Sequence, residues 1–326
     1  MLIAFLIASI LSFLTTYLSV KWLIKYLRKV GMVVPDMNKK DKPLIPISGG
    51  LAVMSGIFIG LMFFIFLQTF FYKDNSFSLI LFGAITTIVL ITFIGFVDDA
   101  LIERNSSSSS GLKQWQKPLL VLPAAIPLVV INAAITKINL PWGNVDLGII
   151  YPLLIIPIGV VGAANMVNNL AGFNGLETGM GIIYTLSLGI YAYSHGSVFA
   201  ALIAFLTFAA LIAFFIFNKY PAKILPGDSL TYLLGAIIAV IAILGNMEKT
   251  AIIISIPFII EFFLKIRAKL RAHSYGYYKD GKIQSYYAKI YSIPHIFSRT
   301  GKFTEKQITY FIICIEVIFS SLIWLI

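Results

Sequence analysis

Ten apolar runs of membrane-spanning length divide this chain and leave room for little else. They cover roughly residues 2–20, 47–71, 77–97, 118–135, 149–164, 179–195, 198–217, 229–246, 250–266 and 308–326. A bilayer core accepts about 20 apolar residues as a helix. Lipid offers the backbone no hydrogen-bond partner, so a spanning segment must satisfy its own peptide groups. With 59% hydrophobic and 12% charged residues, the chain cannot coat a soluble domain in charge. The expectation is an all-α polytopic membrane protein of about ten transmembrane helices. Residues 1–326 form a single integral domain, with 267–306 as a loop inside it. The first run lacks a basic leader and a small-residue cleavage site, so it reads as a span and not a signal peptide.

Placing the 21–46 loop in the cytoplasm and alternating from there puts nearly all positive charge on one side. Lys21, Lys25, Arg28, Lys29, Lys39, Lys40, Lys42, Arg104, Lys113, Lys117, Lys219, Lys223 and the ten basic residues from Lys265 to Lys306 fall inside. Only Lys73, Lys137 and Lys249 fall outside. That asymmetry orients the chain by the positive-inside rule, with both termini outward. A single missed span would scramble it. Five serines at 106–110 read as a flexible low-complexity loop. Cys314, the sole cysteine, receives no role, and the three histidines lack metal-ligand spacing.

The polar constellations then share the cytoplasmic face. In "GFVDDAL" (95–101), Asp98 and Asp99 end an apolar helix. Carboxylates at a helix C-terminus oppose its dipole, and neighbouring ones repel unless a cation or proton lies between them. They read either as a solvated helix end or as a site for a divalent metal or a phosphate. "NMVNNLAGFNGLETG" (165–179) is over-supplied with amides at Asn165, Asn168, Asn169 and Asn174. A plain turn explains the glycines and Asn174. It does not explain the helix-ending amides, which suit Mg²⁺ or a nucleobase edge. In "LPGDSL" Asp228 reads as a helix N-cap, a metal ligand, or both. Lys117 reads as an interfacial anchor or a phosphate-binding cation, and the Gly49–Gly50 turn as a helix start or a close approach to phosphate. Together this is the inventory for a metal-bound pyrophosphate beside a lipid.

In these motifs the chain resembles the polyprenyl-phosphate N-acetylhexosamine-1-phosphate transferases. "NLAGFNGLE" brings it nearest the dolichyl-phosphate N-acetylglucosamine-1-phosphotransferase branch. The resemblance implies that a polyprenyl or dolichyl phosphate attacks the β-phosphorus of a UDP-N-acetylhexosamine. The products are a lipid-diphospho-sugar and UMP. The implied cofactor is Mg²⁺, with Mn²⁺ as the alternative. By motif, Asp98 and Asp99 are implied to handle the acceptor phosphate, and Asn168 and Asp228 to hold the metal. Lys117 is implied to contact phosphate, and Gly172 and Asn174 to form the uridine turn. Asp36, Asn38 and Lys39 match a stretch near the nucleotide. Leu225 stands where the family often has an aromatic on the uracil. His295 and Arg299 stand where a His/Arg cluster reads the sugar, although no tight cluster is present. The implied setting is a cell or endoplasmic-reticulum membrane, with other membrane lipids as partners and no nucleic acid; a homodimer is compatible. The rival reading is a secondary transporter using Asp98 or Asp99 as an ion or proton site. Glu261 and Glu316, carboxyls inside apolar runs, fit neither reading.

Overall fold

The computed structural model describes residues 2–102, 111–132, 135–140 and 143–325. The serine run at 106–110 and Arg104 lie outside the described residues. All ten apolar runs are helical where described. Among the described residues, seven helices are long and apolar enough to cross a membrane. These are α1 (Leu2–Val30), α2 (Gly50–Phe70), α3 (Ser78–Ala100), α6 (Ile156–Asn169, extended by a π-turn from Tyr151), α8 (Val198–Asn218), α9 (Gly227–Gly245) and α13 (Glu305–Leu322, prolonged by a short 3₁₀ turn). The other three runs form α7 (Leu176–Ser194), the pair α4 (Gln116–Ala124) and α5 (Ile126–Ile131), and the pair α10 (Glu248–Ile254) and α11 (Ile256–Ile266).

Proline accounts for the interruptions. Pro127 follows the break at Ala125, Pro257 follows the break at Ser255, and Pro152 lies in the π-turn. A proline has no N–H and crowds the preceding turn, so the helix ladder stops or loosens there. Hydropathy averages over such breaks, which is why each pair read as one span.

α9 is the central helix. Some 83% of its apolar window is buried inside the protein, against 33–61% for the other six candidate spans. It packs on α3, α6 and α8, while α1 lies against α2 and α8. Its all-apolar run from Leu233 to Ile243 fits burial on every side.

Two expectations need correcting. The first helix does not stop near residue 20 but continues to Val30. Lys21, Lys25, Arg28 and Lys29 are good helix formers, and buried Leu23 and Leu27 keep the helical spacing beyond the apolar run. Nor is the chain all-α. Three two-stranded antiparallel ribbons occur: β1 (Val33–Pro35) with β2 (Leu44–Pro46), β3 (Lys137–Leu140) with β4 (Gly143–Asp146), and β5 (Tyr277–Lys279) with β6 (Lys282–Gln284). The long 267–306 segment is therefore structured, carrying β5, β6 and the short helix α12 (Ile293–Ser298).

Candidate active site

The C-terminal turn of α3 meets the N-terminal turn of α9, and Asp99 closes the junction. Its carboxylate accepts from the Asp228 N–H at 2.8 Å, the Ser229 N–H at 3.2 Å and the Ser48 hydroxyl at 2.7 Å. The two amides belong to the first turn of α9, where no intrahelical acceptor is available. Asp99 thus caps a neighbouring helix from outside it. Asp228 itself makes no side-chain cap, which corrects the N-cap reading. The backbones approach closely. A Cβ on Gly95 would lie 2.4 Å from the Asp228 carbonyl, and one on Gly227, at φ +71°, would lie 2.3 Å from the Asp99 carboxylate. Glycine is required at both positions.

With the cap supplied from α3, the Asp228 side chain is free to face a small polar chamber. Lys117, at the start of α4, reaches between two carboxylates, 2.6 Å from Asp98 Oδ2 and 2.9 Å from Asp228 Oδ2. Asp98 is buried, and its other oxygen accepts from the Leu112 N–H at 2.6 Å. Asp228 is 28% exposed and is the open member of the set. Asn168, in the last turn of α6, donates to Asp228 Oδ2 at 3.3 Å and accepts from the Thr231 hydroxyl at 2.8 Å. As placed, its amide oxygen faces Thr231. The chamber draws on α3, α4, α6 and α9, and four of the sequence-selected residues meet in it.

The donor set fits a magnesium ion. Among the described residues no three carboxylate, histidine or cysteine groups cluster as ligands. Mg²⁺ usually takes one or two carboxylates and completes its shell with water and phosphate oxygens. Asp228 offers one, beside the Asn168 amide.

A second polar group surrounds the α6–α7 turn. Asn38 donates to the Gly172 carbonyl at 2.7 Å and accepts from the Gly276 N–H at 3.1 Å. The Gly172 N–H donates to Glu177 at 2.7 Å. Asn174 is buried and heavily engaged. Its amide oxygen accepts from Lys39 at 3.0 Å and the Ala222 N–H at 2.9 Å, and its NH₂ donates to Asp36 at 3.1 Å. Glu305, at the start of α13, accepts from the Asn174 N–H at 2.9 Å and pairs with Lys39, which also lies 3.2 Å from Asp36. Lys39 sits 4.4 Å over the Tyr220 ring. Beside this group is a cavity of about 350 Å³ whose lining includes Asp36, Lys39, Tyr220, Ala222 and Tyr278. The structure therefore unites Asp36, Asn38, Lys39, Gly172 and Asn174, and makes Asn174 the hub of the turn.

Two residues stand apart. His295 is fully buried. Its Nδ1 accepts from the Tyr291 N–H at 3.2 Å, so Nε2 carries the hydrogen donated to the His273 carbonyl at 2.9 Å. Burial lowers its pKa and that of His273, keeping both rings neutral. With both nitrogens committed, His295 has no free atom for a sugar, and the expected contact is corrected to a structural role. Arg299 is exposed on the same loop. Leu225 is half-buried, and its backbone ties two segments together: its N–H donates to the Pro46 carbonyl at 2.8 Å, and its carbonyl accepts from the Gly49 N–H at 3.0 Å.

Sequence reasoning passed over Ser48, Thr231, Glu177 and Glu305. Glu305 carried a signal, because Thr304 and Gln307 form a capping box around it. Glu261 is now explained. Fully buried in α11, it accepts from the Ser292 hydroxyl at 2.6 Å and the Ile293 N–H at 2.7 Å, fastening the start of α12 to the membrane core. Glu316 accepts from Ser320 one turn away, at 2.9 Å.

The chain is similar in sequence to known proteins. Residues 81–246 match glycosyl transferase family 4, and the chain belongs to that family. A Saccharolobus solfataricus protein provisionally named UDP-N-acetylglucosamine–dolichyl-phosphate N-acetylglucosaminephosphotransferase is 34% identical, over 98% of this chain and 95% of that one. A Sulfolobus acidocaldarius protein with the same provisional name is 32% identical over the same shares. The phospho-N-acetylmuramoyl-pentapeptide-transferase of Streptococcus pyogenes serotype M6 is 30% identical, over 78% of this chain and 77% of that one.

Proposed function

We propose that this protein transfers N-acetylglucosamine-1-phosphate from UDP-N-acetylglucosamine to a dolichyl or other polyprenyl phosphate, releasing UMP. The observation that carries the proposal is the Asp98–Lys117–Asp228 arrangement, with Asn168 alongside, at the junction of α3 and α9. The names of the two archaeal relatives supply the substrates. Nothing in the comparisons supports the transporter reading.

In this reading Asp228 would hold Mg²⁺, or Mn²⁺ in its place, with Asn168 in support. The metal would supply countercharge to the pyrophosphate and polarise the phosphoryl group under attack. Lys117 moves from carboxylate to phosphate oxygen and keeps a positive charge beside the reacting groups. Asp98, buried at the base of the chamber, orients the acceptor phosphate and takes its proton when the acceptor arrives as a monoanion. An acceptor oxygen then forms a bond to the β-phosphorus, the bond from that phosphorus to the bridging oxygen breaks, and UMP leaves with the electron pair. Asp99 holds α9 in register, so that Asp228 faces the chamber. The Lys39–Asn174–Glu305 group and the cavity beside it shape the nucleotide side. The ten-span topology, with these loops facing the cytoplasm, would place the chamber where nucleotide sugars are made.

Purified protein incubated with UDP-N-acetylglucosamine, a polyprenyl phosphate and Mg²⁺ should release UMP in step with a lipid-diphospho-sugar of matching mass. Ion-dependent uptake into vesicles without UMP release would overturn the proposal.

A further inference from the structure

The clearest feature left over by this chemistry is a crevice between α8 and α13, with α7 behind it. It encloses about 160 Å³. Phe215, Lys219 and Tyr220 form one wall, Lys306, Thr309 and Tyr310 the other, and Asn174 closes the inner end. Gly175, just before α7, and Gly179 within it let the walls come together. A Cβ on Gly175 would lie 3.1 Å from the Phe215 ring, and one on Gly179 would lie 2.3 Å from Ile313. Most of the lining is polar, and Phe215 supplies its apolar side.

Lys219 and Lys306 face its opening without a countercharge. Among the described residues neither makes an ion pair, and both are exposed. Lys306 lies 5.8 Å over the Tyr310 ring, a contact that leaves its charge unneutralised. The nearest acid along α13, Glu305, is turned away to Lys39 and the Asn174 N–H. Lysines at helix ends commonly extend to the interface as anchors. These two differ in flanking one cavity with a hydroxyl and an amide at its back. Lys219 follows the last residue of α8, and Lys306 is in the first turn of α13. Both candidate spans thus place their lysines at the same membrane boundary. Below this level the outer surface continues as exposed Ile216 on α8 and Phe311 on α13.

We infer that this crevice binds an anionic phospholipid, its phosphate between Lys219 and Lys306 and the start of its chain against Phe215 and the exposed Ile216 and Phe311. A soluble phosphate would satisfy the lysines but leave Phe215 and the exposed Ile216 and Phe311 uncovered.

The test uses full-length protein in neutral detergent, titrated with phosphatidylglycerol or phosphatidylcholine and read by native mass spectrometry. Wild type should hold one phosphatidylglycerol in preference to phosphatidylcholine. Lys219→Ala/Lys306→Ala should weaken that adduct about 10- to 30-fold, the worth of two interfacial lysines. Lys29→Ala/Lys289→Ala, a pair of exposed lysines elsewhere, should keep it. If the alanine pair does not fold, Lys219→Gln/Lys306→Gln with an unchanged thermal midpoint replaces it. Equal binding of phosphatidylcholine, or an undiminished adduct in the folded double variant, overturns the inference. Complete displacement by millimolar inorganic phosphate also overturns it, by showing an anion site indifferent to the lipid.

Discussion

Asp98 and Asp99 are adjacent in sequence, yet the structure gives them separate work, and replacing each by asparagine should expose the difference. Asp99 receives three donors: the Ser48 hydroxyl and the N–H groups of Asp228 and Ser229. An asparagine offers one acceptor oxygen and turns its NH₂ toward at least one of these donors. One buried N–H then loses its partner, which costs about 1–3 kcal/mol. Asp99→Asn should therefore destabilise the protein by about 1–3 kcal/mol, lowering the thermal midpoint by about 1.5–4.5 °C for a chain of this size. Asp98→Asn keeps a carbonyl for the Leu112 N–H, and Lys117 keeps Asp228. Its midpoint should move by less than about 2 °C, while turnover falls by roughly 10²-fold or more. Thermal unfolding in detergent and UMP release separate the two. An Asp99→Asn protein with the parent midpoint and no turnover would refute the capping argument and return Asp99 to the chemistry.

Other outcomes follow from the same geometry. Asp228→Ala should abolish UMP release in a folded protein, with Asn168→Ala milder because a neutral amide offers a dication less than a carboxylate does; UMP release across a Mg²⁺ titration reads both. Glu305→Ala leaves Lys39 without its main partner and frees the Asn174 N–H, so the KM for UDP-N-acetylglucosamine should rise more than kcat falls, and Glu305→Gln should recover part of the loss. His295 has a lowered pKa in the folded state, so folding favours its neutral form. Its contribution is complete above the unfolded value of about 6.5 and declines as pH falls below it; unfolding midpoints from pH 7.5 to 5 should drop more steeply in wild type than in His295→Gln. In a Cys314→Ser background, a cysteine at Lys289 should label from the cytoplasmic side only and one at Ser76 from outside only, and the reverse pattern would invert the orientation.

The positions of the helices were legible because lipid imposes a length and a composition on any span, and among the described residues seven helices meet both. Their internal breaks were less so, since the prolines at 127, 152 and 257 interrupt hydrogen bonding without lowering mean hydropathy. The helical extension from Lys21 to Val30 was hidden for the opposite reason, as helix propensity continues where hydropathy falls. Among the site residues, Asp98, Lys117, Asn168 and Asp228 were found from charge and amide excess in otherwise apolar surroundings. Their division of labour depends on which helix end each faces, and spacing along the chain carries no such information.

The same limit explains His295. Its place in a basic, tyrosine-rich loop suggested a ligand contact, because a histidine among cations at a membrane surface looks exposed. What buries it is Glu261, lying 34 residues earlier in an apolar helix. By holding the Ser292 hydroxyl and the Ile293 N–H, Glu261 draws α12 against the membrane core. The two buried groups form one arrangement: a carboxyl that fits no catalytic role fixes the loop, and the loop encloses a histidine whose nitrogens serve its own backbone. Under the proposed function, Arg299 is the sequence-selected residue of this loop that remains exposed to meet the sugar. Arg299→Ala should accordingly relax the choice between N-acetylated and plain UDP-hexoses in UMP-release assays, while His295→Gln lowers the thermal midpoint and leaves that choice unchanged. An altered sugar preference in a folded His295→Gln protein would show that the ring reaches substrate after all.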